Sequence, residues 1–127
     1  MNFSESLKKN KDFKIVYKEG TSYANKYLIM YKRSNGSERN RIGISVSKKV
    51  GNSVVRHRIS RLIRESYRLQ EERFLKGLDI IVIARPSAAG ISYKEIESAM
   101  NHLGKLHNII DNQVEKQSNE NNVDRDD

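Results

Sequence analysis

The run "DIIVIAR" from Asp79 to Arg85 limits the folds open to this 127-residue chain more than any other segment. Successive strand residues point to opposite sides of a sheet, so a strand that is apolar at consecutive positions needs cover on both faces. The run therefore predicts a central strand, which Pro86 ends. A chain of this length holds one domain with one core, and that core must form around this strand.

Segments before this strand predict its neighbours. A helix is predicted over Lys11–Glu19, and a strand over the aromatic and apolar stretch Tyr27–Arg33. A second strand is predicted over Arg41–Lys49, where Ile and Val alternate with small polar residues. The polar turn between the two strands contains Asn35-Gly36 and favours a hairpin.

Two amphipathic helices complete the order of elements. The first starts with Asn52 or Ser53 as its N-cap, and its apolar side is one arc made of Val55, Ile59, Leu62, Ile63 and Ser66. The second follows a capping box of Ser92 and Glu95 and repeats apolar residues at Ile96, Met100, Leu103 and Leu106. The order α-β-β-α-β-α predicts the α+β class, as a two-layer α/β sandwich on a small mixed sheet. Pairing of the third strand stays open.

Charge is divided unevenly along the chain. Lys and Arg number 24 against 16 Asp and Glu, for a net charge of +8. Residues 111–127 hold two basic and six acidic side chains, so this segment carries −4 and residues 1–110 carry +12. We expect one basic domain over 1–110 and an acidic, disordered tail over 111–127. A basic domain suits nucleic acid or an anionic membrane.

Several kinds of protein are disfavoured. The absence of Cys excludes disulfides, thiolate zinc sites and cysteine nucleophiles. Apolar runs fall far short of the roughly 20 residues of a membrane span, and the start lacks an apolar signal core, so we expect a cytoplasmic protein. No nucleophile, base and orienter assemble, and His107 with Asp111 is read as a helix-end histidine beside an acidic tail. We expect no catalytic residue and no metal site.

The helix after Asn52 has an almost uniformly cationic polar side. The basic residues in and before it are Lys48, Lys49, Arg56, Arg58, Arg61, Arg64 and Arg68, and only Glu65 interrupts their sign. An ordinary solvated face would mix signs, because like charges on neighbouring turns destabilise a helix. Phosphate also binds well at a helix N-terminus. This side of the helix therefore predicts a polyanionic partner.

A second candidate surface is aromatic. Phe13 and Tyr17 share one side of the first helix, and Tyr31 lies on the first predicted strand. Each of them can equally be a core residue. If they face one another across a groove flanked by Lys14, Lys18 and Lys32, they form a stacking platform for single-stranded nucleic acid.

The stretch "SVSKKVGNSVVRHRISRLIRE" closely resembles the arginine-rich signature of the protein subunit of bacterial ribonuclease P, in which Lys-x-x-Gly-Asn leads into an Arg-Asn-Arg helix. The likeness continues upstream in "KNKDFKIVYKEGTSYANKYLIMY" and downstream in "DIIVIARP", so it covers roughly Leu7 to Leu106. It implies an accessory subunit. In that family a catalytic RNA cleaves the 5′ leader from precursor tRNA with Mg²⁺, and the protein binds that RNA and the leader. It also implies a ribosomal-protein domain 2-like fold with a left-handed βαβ crossover.

The resemblance and the charge pattern together give two predicted sets of binding residues. The predicted set that binds catalytic RNA is Lys48, Lys49, Gly51, Asn52, Arg56, His57, Arg58, Arg61, Arg64 and Arg68. The predicted leader-binding cleft is Phe13, Lys14, Tyr17, Lys18, Tyr31 and Lys32. One position departs from the family, because His57 replaces the usual Asn of the Arg-Asn-Arg triplet. Neither a small-molecule substrate nor a membrane partner is implied.

Three other functions compete with this hypothesis. A general or ribosomal RNA-binding protein would share the basic helix but would not stimulate cleavage by an RNA enzyme. A double-stranded DNA-binding module would place that helix in a major groove, yet the segment before it reads as a strand and not as a first helix of such a motif. A free-standing nuclease lacks candidate catalytic residues.

Overall fold

The computed structural model describes residues 1–110 of the chain. Its elements are β1 (Ser4–Ser6), α1 (Asn10–Glu19), β2 (Thr21–Ala24), β3 (Leu28–Ser34), β4 (Asn40–Ser45), α2 (Ser53–Gln70), β5 (Leu78–Ala84) and α3 (Tyr93–Leu106). Short 3₁₀ helices at Glu71–Arg73 and Pro86–Ala88 follow α2 and β5. The predicted α+β class and the order of the long elements are confirmed. The acidic tail predicted for 111–127 lies outside the described residues.

The five strands form one mixed sheet in the order β1-β4-β5-β3-β2. β5 lies in the middle, parallel to β4 and antiparallel to β3, so the predicted central strand is confirmed. The predicted hairpin between β3 and β4 is wrong, because β5 lies between these strands. Asn35 in the connecting turn donates a hydrogen bond from Nδ2 to Oδ1 of Asp79 at 3.0 Å, so the turn passes around the start of β5. The antiparallel hairpin is instead β2 with β3.

Each face of the sheet has its own apolar cluster. The larger cluster lies between the sheet and the two helices α2 and α3, and these two layers make the predicted sandwich. The cluster includes Leu28, Met30, Ile42, Ile59, Ile63, Ile80, Val82, Ile96, Met100 and Leu103. Helix α1 lies across part of the opposite face, where Leu7, Val16 and Ile81 are buried beside the half-buried Phe13 and Tyr31. The two faces of β5 are thus covered by different helices, as a strand apolar on both sides requires.

Helix α2 connects the adjacent parallel strands β4 and β5. Its predicted apolar side is confirmed, since Ile59, Ile63 and Ser66 are buried and Val55 and Leu62 pack against the same core. This is the βαβ unit for which the resemblance implies a left-handed connection, and that handedness stays a prediction.

A buried carboxylate holds the first strand to the end of α2. Glu71 accepts hydrogen bonds from the backbone N–H groups of Asn2 at 2.7 Å and of Phe3 at 2.9 Å. Burial alone would raise the pKa of Glu71, but hydrogen bonding with the Ser4 side chain and with these two backbone groups outweighs it and leaves the pKa below its ordinary value. The ionised form is therefore the form that the fold favours.

Glu71→Gln should lower the free energy of unfolding at pH 7 by about 1.5 kcal/mol, because hydrogen bonds to a charged acceptor are lost. A lowered pKa in the fold stabilises it above the unfolded pKa of about 4.3, and this contribution is lost as the pH falls through the folded value. The difference between variant and original should therefore shrink below about pH 4. Urea unfolding from pH 3 to 7 measures this difference, with Glu38→Gln, at an exposed position in the turn between β3 and β4, as control. A difference that is constant with pH would contradict the assignment.

Candidate RNA-binding surfaces

The start of α2 depends on two residues of the predicted RNA-binding set. The side-chain oxygen of Asn52 accepts a hydrogen bond from the backbone N–H of Val55 at 3.0 Å, so the predicted N-cap is confirmed. Gly51 lies tightly against the first turn, because a Cβ at this position would stand 2.9 Å from Cβ of Val55. Both residues thus have a structural role, and their contact with RNA stays a prediction.

Asn52→Ala should cost about 1 kcal/mol of stability, since it leaves a helix N–H without its cap. Ser53→Ala serves as the control, because Ser53 is exposed and makes no side-chain hydrogen bond to any residue in 1–110. Chemical denaturation of both variants measures the difference. Equal stability would show that the cap contributes nothing.

The polar side of α2 is a cationic face formed by the predicted residues. His57, Arg61, Arg64 and Arg68 are exposed, and Arg56 and Arg58 are half-buried at its borders. Two of these guanidinium groups are held by the backbone. Arg56 donates from Nε to the Gly51 carbonyl at 3.1 Å, and Arg58 from Nη2 to the Ile91 carbonyl at 2.9 Å. A guanidinium carries five N–H donors, so most of them remain for an anionic partner.

Most cations of this face lack an acidic neighbour. Arg68 is paired with Glu65 at 2.6 Å, and hydrogen bonding to Arg68 lowers the pKa of Glu65. The Nη1 atom of Arg64 donates a hydrogen bond to the hydroxyl of Ser6 at 3.2 Å. The other cations of the predicted set have no carboxylate of residues 1–110 within 4.0 Å of their charged nitrogens. They are Lys48, Lys49, Arg56, Arg58, Arg61 and Arg64. These charges repel one another, and Lys48, Lys49 and Arg56 also lie near the positive end of α2. A bound polyanion would relieve both unfavourable interactions.

His57 stands where the family signature has Asn. It is exposed and lies in an open groove with Ser53, Val54, Arg58 and Arg61. An imidazole differs from an amide in its donors and acceptors, so a contact made by Asn is not copied atom for atom. The RNA contact of His57 stays a prediction.

The three aromatic residues of the second surface come together on the α1 side of the sheet. The rings of Phe13 and Tyr17 are 6.2 Å apart, and those of Tyr17 and Tyr31 meet edge to face at 5.0 Å. Phe13 and Tyr17 line an open groove with Lys14, Ile44 and Ser45. Burial raises the pKa of Tyr17, as does the neighbouring Tyr31, while a hydrogen bond with Ser45 acts in the opposite direction. Tyr17 therefore remains a neutral phenol near pH 7.

Gly43 provides the space under this aromatic cleft. A Cβ at Gly43 would stand 2.6 Å from Cζ of Phe13, so the ring lies directly against the backbone of β4. Gly43 was not among the residues predicted for this site. A glycine inside an otherwise alternating strand is the available signal, since such a glycine often marks a close approach of another group.

The lysines predicted to flank the cleft do not all reach it. Lys14 lines the groove, and exposed Lys18 follows one turn later on α1. The predicted place of Lys32 is wrong. Its amine donates to the His107 carbonyl at 3.3 Å, on the α3 side of the sheet, because Lys32 and Tyr31 are adjacent in a strand and point to opposite faces.

The cationic face and the aromatic cleft adjoin at one edge of the sheet. Ser6 of β1 contacts Arg64 of α2, while the next residue, Leu7, lines the cleft. Ser45, at the end of β4, also lines the cleft, and the chain runs from there through Lys48 and Lys49 into α2. The two surfaces are therefore neighbours around this edge of the sheet.

The described part of the chain offers neither clustered metal ligands nor a membrane-spanning helix. In the described part of the chain, no three His, Asp or Glu side chains are grouped to hold a metal ion. His107 is buried with Nε2 2.8 Å from the Met30 carbonyl, and burial lowers its pKa; Asp111 lies beyond the described residues. None of the helices in residues 1–110 combines the length and apolar character needed to cross a bilayer.

An α+β fold with a cationic helix face beside an aromatic cleft is typical of the class of proteins that bind nucleic acid. A family model described as Ribonuclease P matches residues 1–107, and the chain belongs to this family. It is 63% identical to the ribonuclease P protein component of Lachnoclostridium phytofermentans, over 84% of this chain and 92% of that protein. It is 56% identical to the component of Alkaliphilus metalliredigens, over 87% of this chain and 99% of that protein.

Solved structures of the same family share the fold. The RNase P protein of Staphylococcus aureus superposes with a TM-score of 0.78 at 39% identity, covering 84% of this chain and 97% of that chain. The RNase P protein of Thermotoga maritima superposes with a TM-score of 0.73 at 30% identity, covering 79% of this chain and 96% of that chain.

Proposed function

We propose that α2 of this chain binds the catalytic RNA of ribonuclease P and that the aromatic cleft binds the 5′ leader of precursor tRNA. As a member of the family, the chain is the protein component of a ribonucleoprotein endoribonuclease that acts in tRNA 5′ processing. The observation that most supports the proposal is the meeting of a largely unpaired cationic helix face with an aromatic cleft at one edge of the sheet.

The cationic face would contact the RNA mainly through phosphates. Each phosphate that an arginine neutralises releases a condensed counterion, so assembly should weaken steeply as salt increases. Arg56 and Arg58 are already oriented by backbone carbonyls, which reduces the conformational entropy lost on binding. The positive end of α2 adds to the attraction.

The aromatic cleft would hold the leader as a single strand. Every nucleobase has a stacking face, so stacking on Tyr17 and Phe13 tolerates leaders of different sequence. Lys14 and Lys18 would attract the backbone phosphates. Mature tRNA has no leader to place there, and the complex would therefore bind precursor better than product.

Cleavage itself would take place on the RNA. The Mg²⁺ ions implied for this reaction would be held by the RNA component. The protein would contribute assembly and positioning of the substrate. We place this ribonucleoprotein in the cytoplasm, with neither a membrane nor a small molecule as partner.

Affinity measurements on precursor and mature tRNA test this proposal. Holoenzyme reconstituted with its catalytic RNA should bind leader-bearing precursor at least about tenfold more tightly than mature tRNA, in line with one or two stacked bases. The RNA alone should show a smaller preference. A general RNA-binding protein would improve both affinities equally, and that result would contradict a leader-binding cleft.

A further inference from the structure

Helix α1 is attached to the sheet by an ion pair at each end. Near its start, Asp12 accepts from Nη1 of Arg41 at 3.2 Å, and at its end Glu19 accepts from Nε of Arg33 at 3.1 Å. Arg41 belongs to β4 and Arg33 to β3, the two strands on either side of β5. The two ion pairs therefore join α1 to both neighbours of the central strand.

Both arginines converge on one carboxylate of that strand. Asp79 receives two hydrogen bonds from Arg41, Nε to Oδ1 at 2.9 Å and Nη2 to Oδ2 at 2.7 Å. Nη1 of Arg33 lies 3.7 Å from Oδ2, and Asn35 donates to Oδ1. In the sheet, Asp79 is directly opposite Arg33 on one side and Arg41 on the other.

Asp79 is costly to bury, since its side chain is only 1% exposed. Replacement of a buried ion pair by apolar residues is often neutral or stabilising, so stability alone is weak support for keeping this group. A bidentate arginine pair does, however, restrict the orientation of the guanidinium. The direction in which Arg41 reaches Asp12 therefore depends on Asp79.

The ion pairs share control of the rotation of α1 with a small set of apolar contacts. Val16 is the one residue of α1 that is fully buried, Phe13 is half-buried and Tyr17 is exposed. Phe13 and Tyr17 both lie between Asp12 and Glu19 along the helix. A rotation of α1 about its axis would move all three side chains relative to the sheet, and the exposed Tyr17 ring has the least packing to restrain it. The ion pairs oppose that rotation.

We propose that Asp79 is a positioning residue for the aromatic cleft: it orients Arg41 and Arg33, which hold the ends of α1 so that Phe13 and Tyr17 face Tyr31. Its effect on substrate rests on the proposed binding of the leader in this cleft. Its effect on the geometry of the rings does not.

The test uses Asp79→Asn and, as a second variant at the surface, Asp12→Asn. The control is Glu5→Gln, which removes one negative charge, as the two variants do. Glu5 forms an exposed ion pair with Arg39, and this pair does not involve α1. The first measurement is the ratio of holoenzyme affinities for precursor and mature tRNA. We expect both variants to reduce this ratio on the order of three- to tenfold, as misplacement of a binding group does, and the control to leave it unchanged. Assembly with the catalytic RNA should not change.

The second measurement is independent of RNA. In the protein alone, NMR cross-relaxation between the Tyr17 and Tyr31 rings should weaken in both variants and persist in Glu5→Gln. Loss of these cross-peaks supports the positioning role of Asp79, whether or not the cleft binds the leader. If the cross-peaks are lost but precursor and mature tRNA bind equally to the original protein, the proposed function fails and the positioning role stands. Unchanged cross-peaks in folded Asp12→Asn would overturn the inference. If Asp79→Asn does not fold, Asp12→Asn and Glu19→Gln decide the matter by the same criteria.

Discussion

Replacement of Arg61 and Arg64 together by alanine should weaken assembly with the catalytic RNA about 100-fold. In the proposed complex each exposed guanidinium would make a charge-assisted hydrogen bond to phosphate worth about 1.5 kcal/mol or more. Neither arginine has an acidic partner among residues 1–110. The dependence of the logarithm of the binding constant on the logarithm of salt concentration should become shallower by about 1.4 to 1.8, for two phosphates no longer neutralised.

A salt titration of holoenzyme assembly measures both effects. The matched control is Arg39→Ala with Arg85→Ala, two exposed arginines outside α2 whose loss changes the net charge equally. Equal weakening in both double variants would mean that only net charge matters. That outcome would contradict a docking role for the cationic face.

Tyr17→Ala should reduce the affinity for leader-bearing precursor by about 1–3 kcal/mol and leave mature tRNA unaffected, because a stacked base is lost. Tyr17 suits this test better than Phe13. Phe13 is half-buried in the cluster with Leu7 and Ile81 and lies on Gly43, so Phe13→Ala should cost the same leader binding and destabilise the fold as well. Tyr17 is 39% exposed.

Tyr23→Ala provides the control for Tyr17→Ala. Tyr23 is 47% exposed on β2 and its ring contacts His107, away from the cleft. Binding of both RNAs to reconstituted holoenzyme, with each variant, separates stacking from a general loss of tyrosine surface. If Tyr17→Ala weakened precursor and mature tRNA equally, the leader would not be bound in this cleft.

Features coded by neighbouring residues could be predicted from the sequence. Helical spacing predicts the apolar and the cationic side of α2, and the Asn52 cap predicts where this helix starts. The apolar run of β5 predicts a central strand, because such a strand needs cover on both faces. The capping box of Ser92 and Glu95 was likewise confirmed. In each case the deciding interaction lies within a few residues along the chain.

Features that depend on distant pairing could not be predicted. β1 has three residues and β2 is exposed throughout, so neither shows the alternation that marks a half-buried strand. The Asn35-Gly36 turn permits a hairpin, but β5 competes for the same strand edges and pairs with both β3 and β4. The network around Asp79 joins residues 12, 33, 41 and 79, a convergence that only the sheet order creates.

The most direct test of the central claim is cleavage of a leader-bearing precursor tRNA by the catalytic RNA of ribonuclease P at low magnesium, with and without this protein. Addition of the protein should strongly stimulate removal of the leader, while the protein alone should cleave nothing. Absence of stimulation, with salt-sensitive RNA binding retained, would contradict the claim and identify a general RNA-binding protein.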